Sequence, residues 1–261
     1  MPHTATRYWA TRYAVASCHV ERPLDDQVWS RFVRLQGDRP GGFRIAALMR
    51  PPDPAAGEDE QRWLARARVA VALGPFGQHT HWTSPTHARP SGGDDPAERV
   101  RREGEWLREQ GLRPTLFCGG GWYMDESVAR AVVDLGYADC TATRFRPPYL
   151  DDGAPRLSLD APGRLALAGG GELLELPTTH SLGMATRAAL SLRDAREPVV
   201  HVYFHDTDLL DRRRATALRI ALTVLGRRLT VIDLDELAEL ADRDVPVEDL
   251  VVALGQRAPV E

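Results

Sequence analysis

Apolar, β-branched runs alternate with stretches of helical period along almost the whole chain. "YAVASCHVE" (13–21) has the pattern of a buried strand. In "PLDDQVWSRFVRLQ", which follows, Val28, Phe32 and Leu35 recur at helical spacing behind acidic residues suited to a helix N-terminus. The same alternation predicts strands over 43–49, 76–82, 114–120 and 138–143, and helices over 58–74, 95–111 and 125–136. Gly74 and Gly111 close two of these helices and Asp125 caps the third. The rhythm breaks at 151–172, a stretch rich in Gly, Pro and Asp whose two short runs, "RLSL" and "RLALA", predict a hairpin. It resumes with the strand "LLELPTT", a short helix over 183–192 and the long apolar strand "PVVHVYFHDTDL". A helix over 212–226, the strand "RLTVIDL" and the helix "DELAELAD" complete it.

Seven or eight β-then-α units imply a parallel sheet covered by helices. That count fits a closed or nearly closed α/β barrel better than an open doubly wound sheet. One domain spanning 1–261, with its core over about 12–240, accommodates it. Neither GxGxxG nor GxxxxGK[ST] follows any strand, so nucleotide-binding fingerprints are absent. The glycine triplets at 119–121 and 169–171 read as turns.

Composition narrows the class. Of 261 residues, 43% are hydrophobic and 27% charged, enough for a sizeable core. The net charge of -4 gives no reason to expect nucleic acid or an anionic membrane as partner. Cys18, Cys118 and Cys140 are odd in number, widely spaced and without a CxxC pair, which argues against a disulfide framework or a structural zinc knot. The N-terminal stretch has no secretory pattern, and no apolar run is long enough to cross a bilayer. A cytoplasmic protein is the expectation, with its oligomeric state left open.

In a parallel barrel, chemistry gathers at the C-terminal ends of the strands. His19, His79, His81, His87, His180 and His205, six of the eight histidines, fall at that end of the predicted strands, together with Glu21 and Asp208. A catalytic metal site keeps three His or carboxylate ligands and an open position for water. Glu21 with two of His79, His81 and His87 supplies such a set, and a further histidine is then available for proton transfer. His19 and Glu21 share one side of a strand, as do His79 and His81. His79 has the most favourable place; His81 and His87 compete for the other. Glu21 has a bland alternative as a helix cap or an arginine partner, and His180 is open between substrate contact and loop packing. His201, inside an apolar strand, reads as a core histidine, and Cys118 as a small buried residue near the site.

These motifs, in their order, resemble the polysaccharide deacetylase family of the chitooligosaccharide deacetylase type over roughly 12–240. The resemblance implies a deformed (β/α)7–8 barrel of that family's type. It also implies a divalent metal, zinc foremost, that serves hydrolysis of acetyl groups on sugars. "SCHVE" occupies the place of the family's paired acids, which puts Glu21 at the metal and His19 at the base, where the family carries an acid. "GQHTHWTSPTH" occupies the place of its histidine pair; His79 matches the first, and His81 or His87 must serve as the second. "FCGGGWYMDESVARAVVDLGY" resembles the third motif, with Cys118 where Arg is common. "LELPTT" resembles the fourth. "VYFHDTDLLD" resembles the fifth and makes His205 the general acid, with Asp206 or Asp208 placed to fix its ring.

The function that follows is metal-dependent hydrolysis of an acyl group, N-acetyl above all, from a sugar or a sugar-containing biosynthetic intermediate. The alternatives are hydrolysis of a non-sugar C–N bond on the same scaffold and a non-catalytic relative. The latter would bind an oligosaccharide through Trp82, Trp122 and Tyr123.

Overall fold

The computed structural model describes residues 11–91, 95–145, 155–191, 197–245 and 247–249. Among them, eleven strands belong to one sheet: β1 (Tyr13–Val20), β2 (Ala46–Met49), β3 (Phe76–Thr80), β4 (Leu116–Gly119), β5 (Ala138–Asp139), β6 (Gly163–Ala166), β7 (Glu172–Glu175), β8 (His180–Ser181), β9 (Val199–His205), β10 (Thr230–Val231) and β11 (Val247–Asp249). Seven α-helices accompany them: α1 (Asp26–Asp38), α2 (Glu60–Leu73), α3 (Pro96–Glu109), α4 (Glu126–Asp134), α5 (Leu182–Leu190), α6 (Arg212–Arg228) and α7 (Leu234–Asp244). Side-chain caps set several helix starts. Asp25 accepts from the backbone N–H groups of Gln27 and Val28, and Asp125 accepts from that of Val128. No helix among the described residues is long and apolar enough to cross a membrane.

The sheet is mostly parallel, with β9, β1, β2, β3, β4 and β5 side by side. It curls back on itself through the run 172–181. The first half of that run, β7, pairs with β5. Leu176 N–H then donates to Asp139 O at 2.7 Å and Thr178 N–H to Ala142 O at 2.8 Å, whereas Thr179 N–H turns to His201 O at 3.2 Å and β8 pairs with β9. Pro177, which has no N–H to give, stands where the run changes partners. The expected barrel is therefore an α/β ring of curled strands.

The hairpin expected between "RLSL" and "RLALA" forms elsewhere. β6 pairs antiparallel with β7, not with 156–159, which is not strand. The reason is the turn between them: Gly169, Gly170 and Gly171 all have φ between 83° and 98°, a left-handed run that only glycine enters readily. The alternation of "RLALA" then matches "ELLE" across that turn. Leu157 is buried under the neighbouring cluster instead, and its carbonyl accepts from Thr143 N–H. Residues 151–154 of the expected excursion lie outside the described residues. β11, at the far side of β6, has no counterpart in the sequence reading.

Both faces of β1 are buried, as in any parallel strand covered on two sides. Ala14, Ala16, Cys18 and Val20 join Phe32, Leu35, Leu218 and Leu222 in the outer core beneath the helices. Val15, on the other face, joins Leu48, Leu116, Cys140 and Tyr203 within the ring. Along that inner face β1 and the residue after it read Val15, Ser17, His19, Glu21, and β9 reads Val199, His201, Tyr203, His205. The interior thus passes from apolar to ionisable toward the C-terminal ends of the strands.

Candidate functional site

Glu21 is the hub at that end. Its backbone is held from both sides: Arg50 Nε donates to Glu21 O at 3.1 Å, and Arg22 N–H donates to Asp206 Oδ2 at 2.8 Å. Arg50 is buried and is itself gripped by Glu58 through two hydrogen bonds of 2.8 and 2.5 Å. Around Glu21 Oε1 stand three imidazole nitrogens, His81 Nε2 at 3.4 Å, His205 Nε2 at 3.5 Å and His79 Nε2 at 3.6 Å. These separations exceed an ordinary hydrogen bond. They match the roughly 3.4 Å expected between two N or O ligands of one tetrahedral ion held at about 2.0–2.2 Å.

Two further observations fit a divalent cation. His79 Nδ1 lies 2.9 Å from Cys118 O and His81 Nδ1 lies 2.9 Å from Pro85 O, so both rings are oriented by backbone carbonyls. That is the arrangement that fixes a ligating histidine with its ε-nitrogen free. Those ε-nitrogens are buried and have no hydrogen-bond partner, which is costly unless something else satisfies them. Glu21, His79 and His81 form one group of potential ligands within 4.8 Å; His19, Glu21 and His205 form another, and His19, His79 and Cys118 a third.

The electrostatics agree with a carboxylate hub. Burial alone would raise the Glu21 carboxyl, but contacts with His79 and His81 and the charge of His205 outweigh it and hold it well below the usual carboxylate range. Burial, reinforced by His79 and His205, pushes the His19 imidazole well below its ordinary value. Burial likewise lowers His79. His19 packs 4.5 Å from His79 and 5.3 Å from His205 between ring centroids.

A cleft of about 560 Å³ opens over these residues, lined by His19, Glu21, His79, His205, Trp122 and the segment 86–90. His205 also borders a second cleft of about 540 Å³ with Asp208, Arg213 and Arg214 on its wall. The Asp208 carboxylate reaches the backbone of His205: Oδ2 accepts from His205 N–H at 3.0 Å, and Oδ1 pairs with Arg214 at 2.6 Å, while the His205 side chain faces the Asp208 backbone N–H. Asp206 serves Arg22 N–H, and burial raises its carboxyl to about 7.

The remaining candidates are dispersed. His87 is exposed and outside the three ligand groups; it closes a turn in which its N–H donates to Ser84 O, and it lines the mouth of the first cleft. Trp122 lines the cleft 5.3 Å from His19. It does so with φ at 62°, a conformation that costs a bulky residue strain. Trp82 is instead buried beneath the same loop, with its Nε1–H donating to Gly120 O at 2.8 Å. Tyr123 donates its hydroxyl to Asp125 at 2.6 Å, which serves the start of α4. His180 is buried with its Nδ1 2.9 Å from Thr179 Oγ1, and burial, with Arg144 adding to it, lowers it to about 4. Of the glycine triplet 119–121, Gly119 and Gly120 are both required by space: a Cβ would stand 2.4 Å from Tyr123 O at the first, and 2.5 Å from Thr80 O and 2.7 Å from Ala88 O at the second.

Two buried polar pairs escaped the sequence reading. Ser17 Oγ lies 2.8 Å from His201 Nε2 inside the ring, which gives the core histidine its partner. On the opposite face of the sheet, Asp139 and Glu175 sit in register on β5 and β7, both fully buried. Asp139 Oδ1 accepts from Thr141, and Glu175 Oε1 accepts from Ala142 N–H, leaving Asp139 Oδ2 and Glu175 Oε2 without partners. A proton shared between the carboxyls satisfies both oxygens. Burial raises each acid, and the mutual repulsion drives Glu175 well above its usual value. The only signal in the chain was the acid itself within an apolar run.

This pair makes a pH prediction. The folded state keeps a proton that the unfolded chain releases above about pH 4. Stability therefore falls as pH rises from there toward the raised folded values. Glu175→Gln keeps the shape and removes that titration. Its melting temperature should decline less steeply than the parent's between about pH 5 and 8; parallel curves would show that the pair does not share a proton.

No protein-family model and no curated protein matches the chain. Solved structures do. A 4-α-glucanotransferase from Thermococcus litoralis superposes with a TM-score of 0.55 at 10% identity, covering 91% of this chain and 41% of that one. The chain thus spans well under half of that protein's length, and the likeness is one of fold alone. A family 4 carbohydrate esterase from Streptomyces lividans, solved with acetate, gives 0.44 at 11% identity over 86% of this chain and 91% of that one. A putative polysaccharide deacetylase involved in O-antigen biosynthesis from Bordetella bronchiseptica gives 0.47 at 15% identity over 84% and 91%.

Proposed function

We propose that this chain is a divergent member of the polysaccharide deacetylase family, a metal-dependent hydrolase that removes an acyl group, acetyl above all, from an amino sugar or a sugar-containing intermediate. One observation supports it most: the ε-nitrogens of His79 and His81, buried, unpartnered and oriented from behind, face the same Glu21 oxygen beneath an open cleft. Glu21, His79 and His81 would hold the ion. Zinc suits that donor set, which combines two imidazoles with one carboxylate. When bound, such an ion polarises an acyl carbonyl and activates water.

The other groups divide the proton work. His19 is buried beside the ligands and held in its neutral form, so an imidazole nitrogen there can take up a proton as water adds to the acyl carbon. His205, the neighbour of His19 across β1 and β9, stands beside Glu21, is partly exposed, and borders both clefts. It is placed to give a proton to the departing amine from its ring. Asp208, by clasping the His205 backbone, fixes where that ring projects. Trp122 offers an apolar face for a sugar ring beside the acyl group, as aromatic side chains in saccharide sites do. His87 at the mouth of the cleft is then a residue met by substrate and not by metal.

The direct test pairs two measurements on purified protein: metal per chain by elemental analysis, and acetate release from a panel of N-acetylated mono- and oligosaccharides alongside non-sugar amides. About one divalent ion per chain is expected, with acetate release from an acetylated sugar that chelation abolishes and zinc restores. Hydrolysis confined to non-sugar amides would move the chain to a different substrate class. A protein that neither retains an ion nor hydrolyses anything would be a binding relative.

A further inference from the structure

One layer deeper in the ring than Glu21, a second set of donors converges. His19, His79 and Cys118 are all buried, and their ligand atoms lie within 4.8 Å of one another. They come from β1, β3 and β4, each from the inner face. Cys118 Sγ is 3.6 Å from His19 Nε2. Sulfur at about 2.3 Å and nitrogen at about 2.0–2.1 Å from one tetrahedral ion stand roughly 3.6 Å apart. His79 adds a second observation: its Nε2 is buried and makes no hydrogen bond, with the Glu21 carboxylate 3.6 Å away on one side, while its Nδ1 is committed to the carbonyl of Cys118 itself.

We propose that His19, His79 and Cys118 form a second, sulfur-bearing metal position that takes thiophilic ions such as Cd2+ or Cu+. Thiolate and imidazole together select softer ions than a carboxylate with two imidazoles does. On binding, the Cys118 S–H proton leaves to solvent as the sulfur–metal bond forms, with no change of oxidation state. His79 has a single uncommitted nitrogen, so the two positions exclude one another. The proposal rests on the reading above for the identity of the first position. A thiophilic ion in the second would remove both a ligand, His79, and the proton acceptor, His19. It would therefore block the site without entering the Glu21 position.

The experiment is a Cd2+ titration of the full chain, followed by near-ultraviolet sulfur-to-metal charge-transfer absorbance. It is run on the parent, Cys118→Ser, Cys118→Ala and Glu21→Gln, with zinc affinity measured alongside and melting curves to confirm folding. The expected result is a band that saturates near one equivalent in the parent and in Glu21→Gln, and is absent in both Cys118 variants. Those variants should bind zinc as the parent does. No band in the parent, or a band that survives without Cys118 and so belongs to Cys18 or Cys140, overturns the proposal. A band lost in Glu21→Gln as well would mean one ion held by carboxylate and thiolate together, and overturns the two-position form. Unchanged zinc affinity in Glu21→Gln would count against the first position alone, so the two readings fail separately.

Discussion

Glu21→Gln should lose zinc. The carboxylate oxygen lies 3.4 to 3.6 Å from three imidazole nitrogens, and it is the one anionic donor in the group it forms with His79 and His81. An amide keeps the volume and the hydrogen-bonding geometry but gives up the charge, which makes it a far weaker ligand. The backbone around it should not move, because Arg50 and Asp206 hold the peptide group that joins Glu21 to Arg22 by contacts that do not involve the Glu21 side chain. Altering an outer partner of a metal site costs about 10–100-fold in affinity, so altering the anionic ligand itself should cost more than about 100-fold. The check is a competition titration against a chromophoric chelator, with metal content counted after gel filtration. A variant that retains zinc with parental affinity would remove Glu21 from the ligand set. Acyl hydrolysis should disappear together with the ion, and an excess of zinc should restore part of it.

His205→Ala should instead separate metal from turnover. Its ring faces the same oxygen as the ligands, yet it is a third exposed and borders both clefts, where a leaving group could reach it. Losing a general acid costs roughly 10²–10⁴-fold in kcat. Bound metal should stay near the parental level. Full activity in the variant would dismiss His205 from the reaction, and metal lost in parallel with activity would make it a ligand. The comparison needs both quantities from one preparation.

The convergence of these side chains was legible in the chain because it depends on strand periodicity. Residues two apart on a strand share a face, so His19 with Glu21 and His79 with His81 had to point together once β1 and β3 were recognised. The choice between His81 and His87 was not legible. It turns on the tight turn at 84–87, in which Pro85 O takes the His81 ring while His87 faces solvent. Trp82 and Trp122 looked equivalent in sequence, and only the left-handed backbone at Gly121 and Trp122 sends the second ring into the cleft. The partner of β6 in its hairpin was not legible either, because local apolar alternation says nothing about register; the turn at three consecutive glycines sets it. Glu175 could not be read as buried, since its neutralising neighbour, Asp139, arrives from a different strand.

The ring closure has a further consequence, for the order in which the molecule can be made. Of the described strands β1 is made before the others, but its long partner is β9: Tyr13 meets Val199 and His19 meets His205. Until that late segment exists, β1 has β2 on one side and an open edge on the other, and unpaired apolar edges invite association between chains. Contacts between such distant parts of a chain also make for slow folding. Nascent or truncated chains ending before Val199 should therefore depend on chaperones and aggregate when released alone. The same delay postpones chemistry, because His205 joins Glu21 only when the last stave of the ring is seated. Until then His79 and His81 have a carboxylate beside them but lack the proton donor that β9 brings to it.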